Sequence, residues 1–386
     1  MDTTYLDHAA TTPVRAEARE AWLSAQMTGN ASSVHADGQR ARRLLEDARE
    51  RLAAVLDCHP LEIVFTSGGT EAVNLALKGL WWNRNAGSDS VVLPDGEHHA
   101  TLDAVEWLRD AQGARVDRVA IDELARIPVP AFRAALGDRV AVATALVANN
   151  EVGTINDAAG LAAAAADAGV PLHLDAIAAQ GHVPVRFRPW RGDASGACGL
   201  VALSLSGHKV GAPVGTGALI VSRDAAPTPL IHGGGQQRAL RAGTQDVAGA
   251  AALAVAVELA EAEREGEAAR LAGLRARLLG ALRIEPRIRL LGDPADRLAS
   301  NVHLHLPGAP GESVLYLLDM ARVSASTGSA CQAGVTEASH VVAAMGLGDR
   351  APREVLRLSM GRDTTADDID RAAGAILDAY ARLVSN

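Results

Sequence analysis

The sequence predicts an α/β fold: a large domain with a mostly parallel central sheet flanked by helices, joined to a smaller α+β domain. Three observations carry this. Short aliphatic or β-branched runs alternate with amphipathic helical stretches up to Thr244. A breaker-poor stretch of Ala, Leu, Glu and Arg follows, and shorter strand-like and helix-like segments alternate beyond it. Strands alternating with helices imply βαβ units, whereas mixed short elements suit a second, smaller layer.

The elements follow in order. Strands are predicted at 63–66, 90–93, 140–147, 171–175, 200–204 and 217–221. Helices are predicted at 41–56, 71–82, 101–110 and 158–168. In the first of these, Ala41, Leu44, Leu45, Ala48, Leu52, Val55 and Leu56 fall on one helical face, with Arg and Glu opposite. Residues 247–282 read as one long helix bridging the two domains. Beyond it lie strands near 287–291, 301–306 and 356–359 and helices near 311–320 and 366–384. Turn formers crowd 186–199, which reads as a surface loop. The expected domains are 14–255, and 1–13 with 256–386.

Composition narrows the function. The 386 residues are 48% hydrophobic and 22% charged, which is ordinary globular chemistry and enough to bury a core without staples. That excludes collagen, disorder and disulfide scaffolds. A net charge of −9 gives no cationic surface for phosphate backbones, and 3% aromatics give no base-stacking platform, so nucleic acid is not an expected partner. No apolar run reaches spanning length, so no membrane is expected. The opening MDTTYLDHAATT lacks a basic-then-apolar leader. Cys58, Cys198 and Cys331 are scattered and odd in number, which favours a reducing compartment and a cytoplasmic protein. Neither C-x-x-C nor H-E-x-x-H occurs, so no metal site is expected.

Four constellations carry chemistry. Thr66-Ser67-Gly68-Gly69-Thr70-Glu71 follows a strand and opens a helix, where free N–H groups and the dipole favour an anion. No Lys follows the glycines, so this is not a P-loop; a tight strand–helix turn is the plainer reading. Asp175 ends an apolar strand, where a carboxylate needs a cationic partner or serves as a solvated cap. Lys209, in Ser206-Gly207-His208-Lys209, is one of only two lysines, the other being Lys78. Among Gly, Ser and His it suits a Schiff-base amine better than a generic surface charge. Cys331, in Ser326-Thr327-Gly328-Ser329-Ala330-Cys331, lies among small polar residues where a thiolate could attack. Cys58 and Cys198 read instead as buried structural thiols. His98 could stack on a ring or move a proton, and Arg357 could clamp a carboxylate or serve a structural ion pair.

Taken together and in this order, the motifs resemble the cysteine desulfurases, within the class-V aminotransferase group of fold-type I pyridoxal-phosphate enzymes. The match runs from Tyr5-Leu6-Asp7-His8 to the last helix. It includes Gly29-Asn30-Ala31-Ser32-Ser33, Glu97-His98-His99, Asn149-Asn150-Glu151-Val152-Gly153, His232-Gly233-Gly234-Gly235 and Arg241-Ala242-Gly243-Thr244. The Cys331 segment resembles that of the subgroup with a long cysteine loop. The resemblance implies pyridoxal 5′-phosphate held covalently by Lys209, with Asp175 on the ring nitrogen and His98 stacked on the ring. Asn150 would lie on the ring's oxygen side. Gly69, Thr70, Ser206 and His208 would hold the phosphate, with Thr244 supplied by a second copy in a homodimer. Asn30 and Arg357 would hold the carboxylate of L-cysteine. Lys209 would also shuttle the Cα proton. Cys331 would take the sulfur as a persulfide, leaving alanine, for a sulfur-acceptor protein in iron–sulfur cluster assembly, tRNA thiolation or another sulfur-containing product.

Two departures stand out. The family's Gln three residues after the ring Asp is Ala178 here, so the ring hydroxyl loses a partner unless Gln180 reaches in. The 186–199 stretch is about eight residues longer than usual by alignment to the motifs, as functional loops often are. The alternative reading is a selenocysteine lyase, or a weakened sulfur-delivery scaffold of the same fold.

Overall fold

The computed structural model describes residues 3–329, 331, 332 and 335–385, the four at 331, 332, 335 and 336 by backbone alone. The chain opens with β1 (Thr4–Tyr5), α1 (Ala16–Ala25) and α2 (Ala36–Leu56). Then come β2 (Ile63–Thr66), α3 (Gly69–Trp82), β3 (Ser90–Pro94), α4 (His99–Gln112) and β4 (Arg115–Val119). Next are α5 (Val129–Ala135), β5 (Val140–Leu146), α6 (Ala158–Asp167), β6 (Pro171–Asp175), α7 (Phe187–Arg191), β7 (Gly199–Ser206) and β8 (Gly217–Val221). Among the described residues these strands form a seven-stranded sheet in the order β2-β8-β7-β6-β5-β3-β4, with β8 antiparallel to both neighbours and the other pairings parallel. The expectation of a mostly parallel sheet holds.

Side chains alternate across this sheet as the pleat requires. On β2, Ile63 and Phe65 face α2 and α6 in one apolar core, and Val64 faces α3 and α4 in another. Helices thus cover both faces, which explains why β5, β6 and β7 are apolar almost throughout.

The predicted long helix is α8 (Val247–Leu282), capped by Asp246, whose side chain accepts from Gly249 N. Its first half packs in the main core, and Leu271, Leu278 and Leu282 enter a third core. That core is built on β9 (Arg289–Leu290), β10 (Asn301–His305), α9 (Gly311–Met320) and β11 (Val323–Ser324). The chain continues with β12 (Cys331–Gln332), β13 (Val335–Thr336), α10 (His340–Ala344), β14 (Val355–Ser359) and α11 (Ala366–Val384); β14 and α11 add Leu356, Leu358, Ile369 and Ile376 to the third core, whereas Val341 and Val342 of α10 pack in the main one. β14, β10 and β9 make a three-stranded antiparallel sheet, β1 pairs with β11, and β12 pairs with β13. Leu6, from the N-terminal segment, is fully buried in this third core.

The structure corrects the reading of 186–199 as a plain surface loop. It holds α7, whose Phe187 is buried. Arg191 Nη1 donates to Cys198 O at 3.0 Å and Leu200 O at 2.7 Å, tying the segment down. Cys58 is buried as expected, and burial pushes its thiol up to about 12. Cys198 is only half-buried, its thiol donating to Ser195 O. Among the described residues no helix is long and apolar enough to cross a membrane.

Candidate active site

The carboxyl ends of parallel strands converge on one edge of a sheet, so the residues that follow them meet there. Here Gly68–Thr70 follow β2, Glu97 and His98 follow β3, Asn150 follows β5, Asp175 ends β6, and Ser206 ends β7. A cavity of about 700 Å³ opens at this edge. Its wall includes Gly69, Thr70, His98, Asn150, Asp175 and Gln180, together with Ser206, His208, Lys209 and Arg357. The structure therefore brings ten of the sequence-predicted residues into one site.

Lys209 sits in the single-turn helix after β7, and its Nζ donates to Ala9 O and, at 2.9 Å, to Ala10 O. Burial, helped by the Arg357 charge, holds its ammonium down at about 8. Asp175 is 1% exposed. Its Oδ1 accepts from Ile177 N at 2.8 Å, and burial raises its carboxyl to about 6. Below it, His173 bonds Thr144 and Ser204 at 2.9 and 3.1 Å, so the strand carrying Asp175 is pinned from both neighbours.

His98 caps α4, its Nδ1 accepting from Ala100 N at 3.0 Å, which leaves the proton of the neutral ring on Nε2. Burial first, then the Lys209 charge, pushes His98 down to about 4, so it is neutral at physiological pH. Gly69 sits tightly: a Cβ there would lie 2.3 Å from Ile177 Cδ1, displacing that side chain's tip, and 3.1 Å from Ser206 Cβ. Helix α3 begins with no side-chain cap on its first N–H groups, and Glu71 instead turns back to accept from Ser67 N at 2.7 Å. That leaves an N-terminal cradle for an anion, beside His208.

Arg357, on β14, spans the two halves of the chain. Its Nη1 donates to Asn150 O and its Nη2 to Asp7 Oδ1, both at 3.0 Å, and its buried Nε has no partner among the described residues. Its main chain exchanges hydrogen bonds with Ser326, on the approach to Cys331. The Cys331 backbone forms β12, and its side chain lies outside the described residues.

Two expectations fall outside the cavity of a single chain. Asn30 is exposed, with Oδ1 accepting from Ser32 N, and Thr244 is exposed. Ala178 lines the cavity and so does Gln180, whose amide oxygen and nitrogen are both buried without partners among the described residues. Gln180 N bonds Ala176 O, so one helical turn after Asp175 brings it round to the same wall. Sequence reasoning missed Glu97, fully buried between Leu146 N and the Asp175 charge. Burial first, then Asp175, raises it to about 8. It also missed Asp7 and His340; the signal for His340 was a histidine placed just after the Cys331 segment.

The profile of the aminotransferase class-V family matches residues 4–372. The chain is similar to an "IscS-like cysteine desulfurase" of Mycobacterium tuberculosis, 45% identical over 386 residues that cover 98% of this chain and 96% of that one. Among solved structures, a "NifS-like protein" superposes at a TM-score of 0.89 with 27% identity over the whole of both chains. A structure described as "SspA in complex with cysteine" superposes at 0.79 with 28% identity, covering 92% of this chain and 98% of that one.

Proposed function

We infer the activity of this chain from its kinship: it belongs to the aminotransferase class-V family, among the cysteine desulfurases, and it acts as one. L-cysteine plus the Cys331 thiol gives L-alanine plus a Cys331 persulfide, a balance that needs no outside oxidant. The observation that carries the reading is the single cavity joining Lys209, Asp175, His98 and Arg357, with the Cys331 approach tied to the Arg357 strand.

Pyridoxal 5′-phosphate fits this cavity on three counts. Asp175 is a buried carboxylate in want of a cation, Gln180 has an unpartnered buried amide, and Gly69 leaves a cradle that a Cβ would fill. Lys209 would hold the group covalently, Asp175 would face its ring nitrogen, and His98 its flat face. Gln180 and Asn150 would meet the ring oxygen; Gly69, Thr70, Ser206 and His208 would hold the phosphate. When bound, the group supplies an electron sink for bond breaking at the substrate's α- and β-carbons.

The chain's own residues do the rest. Arg357 receives the substrate carboxylate on its free Nε edge, with Asp7 and Asn150 fixing the guanidinium plane. Lys209, with its ammonium lowered to about 8, has an appreciable neutral fraction at pH 7–8 and moves the proton at the substrate Cα. Neutral His98 keeps a second cation away from Lys209. Cys331 accepts the sulfur and hands it to an acceptor protein in the cytoplasm. Thr244 would complete the phosphate cradle of a second copy, making the working unit a homodimer.

The test supplies the purified protein with pyridoxal 5′-phosphate and L-cysteine, with and without reductant. Alanine, together with a persulfide mapped to Cys331 by mass spectrometry, is the expected result. Lys209→Ala and Cys331→Ala should each lose at least a hundredfold in alanine release. Alanine formation undiminished by Cys331→Ala would overturn the reading. L-selenocysteine in a parallel reaction tests the lyase alternative.

A further inference from the structure

The 149–153 turn does more than end β5. Asn149 Oδ1 accepts from Glu151 N at 2.9 Å and Val152 N at 3.0 Å, so its own side chain winds the turn. Glu151 is then 1% exposed, and its main-chain oxygen receives His303 Nδ1 and Asn301 Nδ2, both at 3.0 Å. A carboxylate this buried is costly unless hydrogen-bonded. Its partners both come from the chain just beyond the Cys331 segment. Ser339 Oγ donates to Glu151 Oε2 at 2.5 Å, and His340 Nδ1 lies 3.8 Å from Oε1.

Ser339 uses its hydroxyl twice. It donates to Glu151 and accepts from Val342 N at 3.1 Å, capping α10. His340 Nε2 donates to Glu97 O at 2.8 Å, one residue before His98. The approaching side of the segment reaches the same place. Gly328 takes φ +92°, and a Cβ there would sit 3.0 Å from His303 Cε1 and 3.5 Å from Glu151 Cγ. Ser329 Oγ donates to Glu337 O at 2.7 Å, tying the two sides together.

We propose that Glu151 is a positioning residue for sulfur transfer: through Ser339 its buried carboxylate fixes the chain that returns from Cys331 against the cofactor wall. This rests on the reading of Cys331 as the sulfur acceptor. Glu151 stands at the cavity wall beside Asn150, and the effect proposed for it travels through Ser339 and the start of α10.

The experiment uses the full-length enzyme loaded with pyridoxal 5′-phosphate. Glu151→Ala should lower kcat for alanine release at least tenfold with KM for L-cysteine within twofold. Glu151→Gln, whose amide oxygen still accepts from Ser339, should recover most of the rate. Ser339→Ala should reproduce the loss, and Glu151→Ala/Ser339→Ala should be no slower than Glu151→Ala alone. Independently of activity, amide exchange over 337–344 should quicken at least tenfold in Glu151→Ala while that over β6 stays unchanged. If Glu151→Ala does not fold, the Ser339→Ala kinetics and exchange decide alone. Wild-type turnover with variants that keep their kcat, or an exchange rate unmoved over 337–344, would overturn the proposal. Failure of the wild type to form alanine would instead overturn the function it rests on.

Discussion

At the scale of single residues, the site is built from groups held away from their ordinary ionisation. Asp175 is the clearest case. Its carboxyl stands at about 6 in the folded chain against 3.8 for a free one, because burial disfavours the charge. A folded value above the unfolded one contributes stability that is complete below pH 3.8 and is lost as pH rises through 6. In the protein without pyridoxal phosphate, ionised Asp175 should therefore cost about 3 kcal/mol above pH 6. Asp175→Asn should lack this cost and also bind the cofactor poorly. Urea unfolding of the two cofactor-free proteins should show a stability gap opening between pH 4 and 6 and then levelling. A gap independent of pH would refute the assignment. Gly69 makes the complementary prediction in steric terms. Gly69→Ala puts a methyl 2.3 Å from Ile177 Cδ1, so it should destabilise by about 1–3 kcal/mol. It should also weaken cofactor retention, read by equilibrium dialysis. Much of this site was legible from the sequence, because Lys209, Asp175 and His98 follow apolar strands and the strand ends must converge. Glu97 and Glu151 were not legible as buried acids. An acidic residue in a turn carries no mark of burial until its partners, Leu146 N in one case and Ser339 in the other, arrive from distant elements.

At the scale of elements, local pattern and tertiary context divide the credit. The buried strands of the main sheet and the helices with one apolar face were readable from periodicity. β4 was not, because this edge strand alternates Arg115, Asp117 and Arg118 with Val and has little apolar run to signal it. α7 was hidden in a stretch of turn formers and is held by Arg191 and Phe187 rather than by propensity. The segment before the R-A-G-T motif shows context overriding preference most plainly. Gln237, Arg238 and Ala239 all take positive φ, at 49°, 58° and 60°. Gln237 is held there by Arg49 Nη2 at 2.9 Å, and Arg238 by Leu61 O at 3.0 Å and Val221 O at 3.1 Å. For a residue with a Cβ this conformation costs about 1–2 kcal/mol, partly offset by the lower freedom of the unfolded chain. Ala239→Gly should therefore raise stability by about 0.5–1 kcal/mol, visible as a higher Tm with the cofactor-bound absorbance unchanged.

At the scale of the whole molecule, the cavity is a joint product of regions far apart in sequence. Arg357 reaches Asp7 and Asn150, and Asp7 itself bridges to Ser359. Under the proposed function, exposed Thr244 would extend the same logic to two chains. Mixing Lys209→Ala subunits with Thr244→Ala subunits should restore activity lost in each alone, because the hybrid keeps one intact site. No gain on mixing, measured as alanine release after subunit exchange, would show that each chain works alone.

The long helix α8 has a mechanical consequence. Its 36 residues make a rod about 54 Å long at 1.5 Å per residue. Apolar packing grips both ends, yet none of residues 261–270 is buried. That middle is steadied by charged contacts instead: Glu263 with Arg15, Glu261 with Arg186, and Arg270 with Gly361 O. The middle of the rod is thus held by ionic contacts at the cavity wall, where Glu263 and Glu267 stand. With an arm of about 27 Å, a bend of about 5° in that middle would move the far end by about 2 Å. Dissolved salt weakens contacts of this kind while sparing the apolar grips, so ionic strength should loosen the middle of the rod, and the cavity wall it forms, before it acts on the fold.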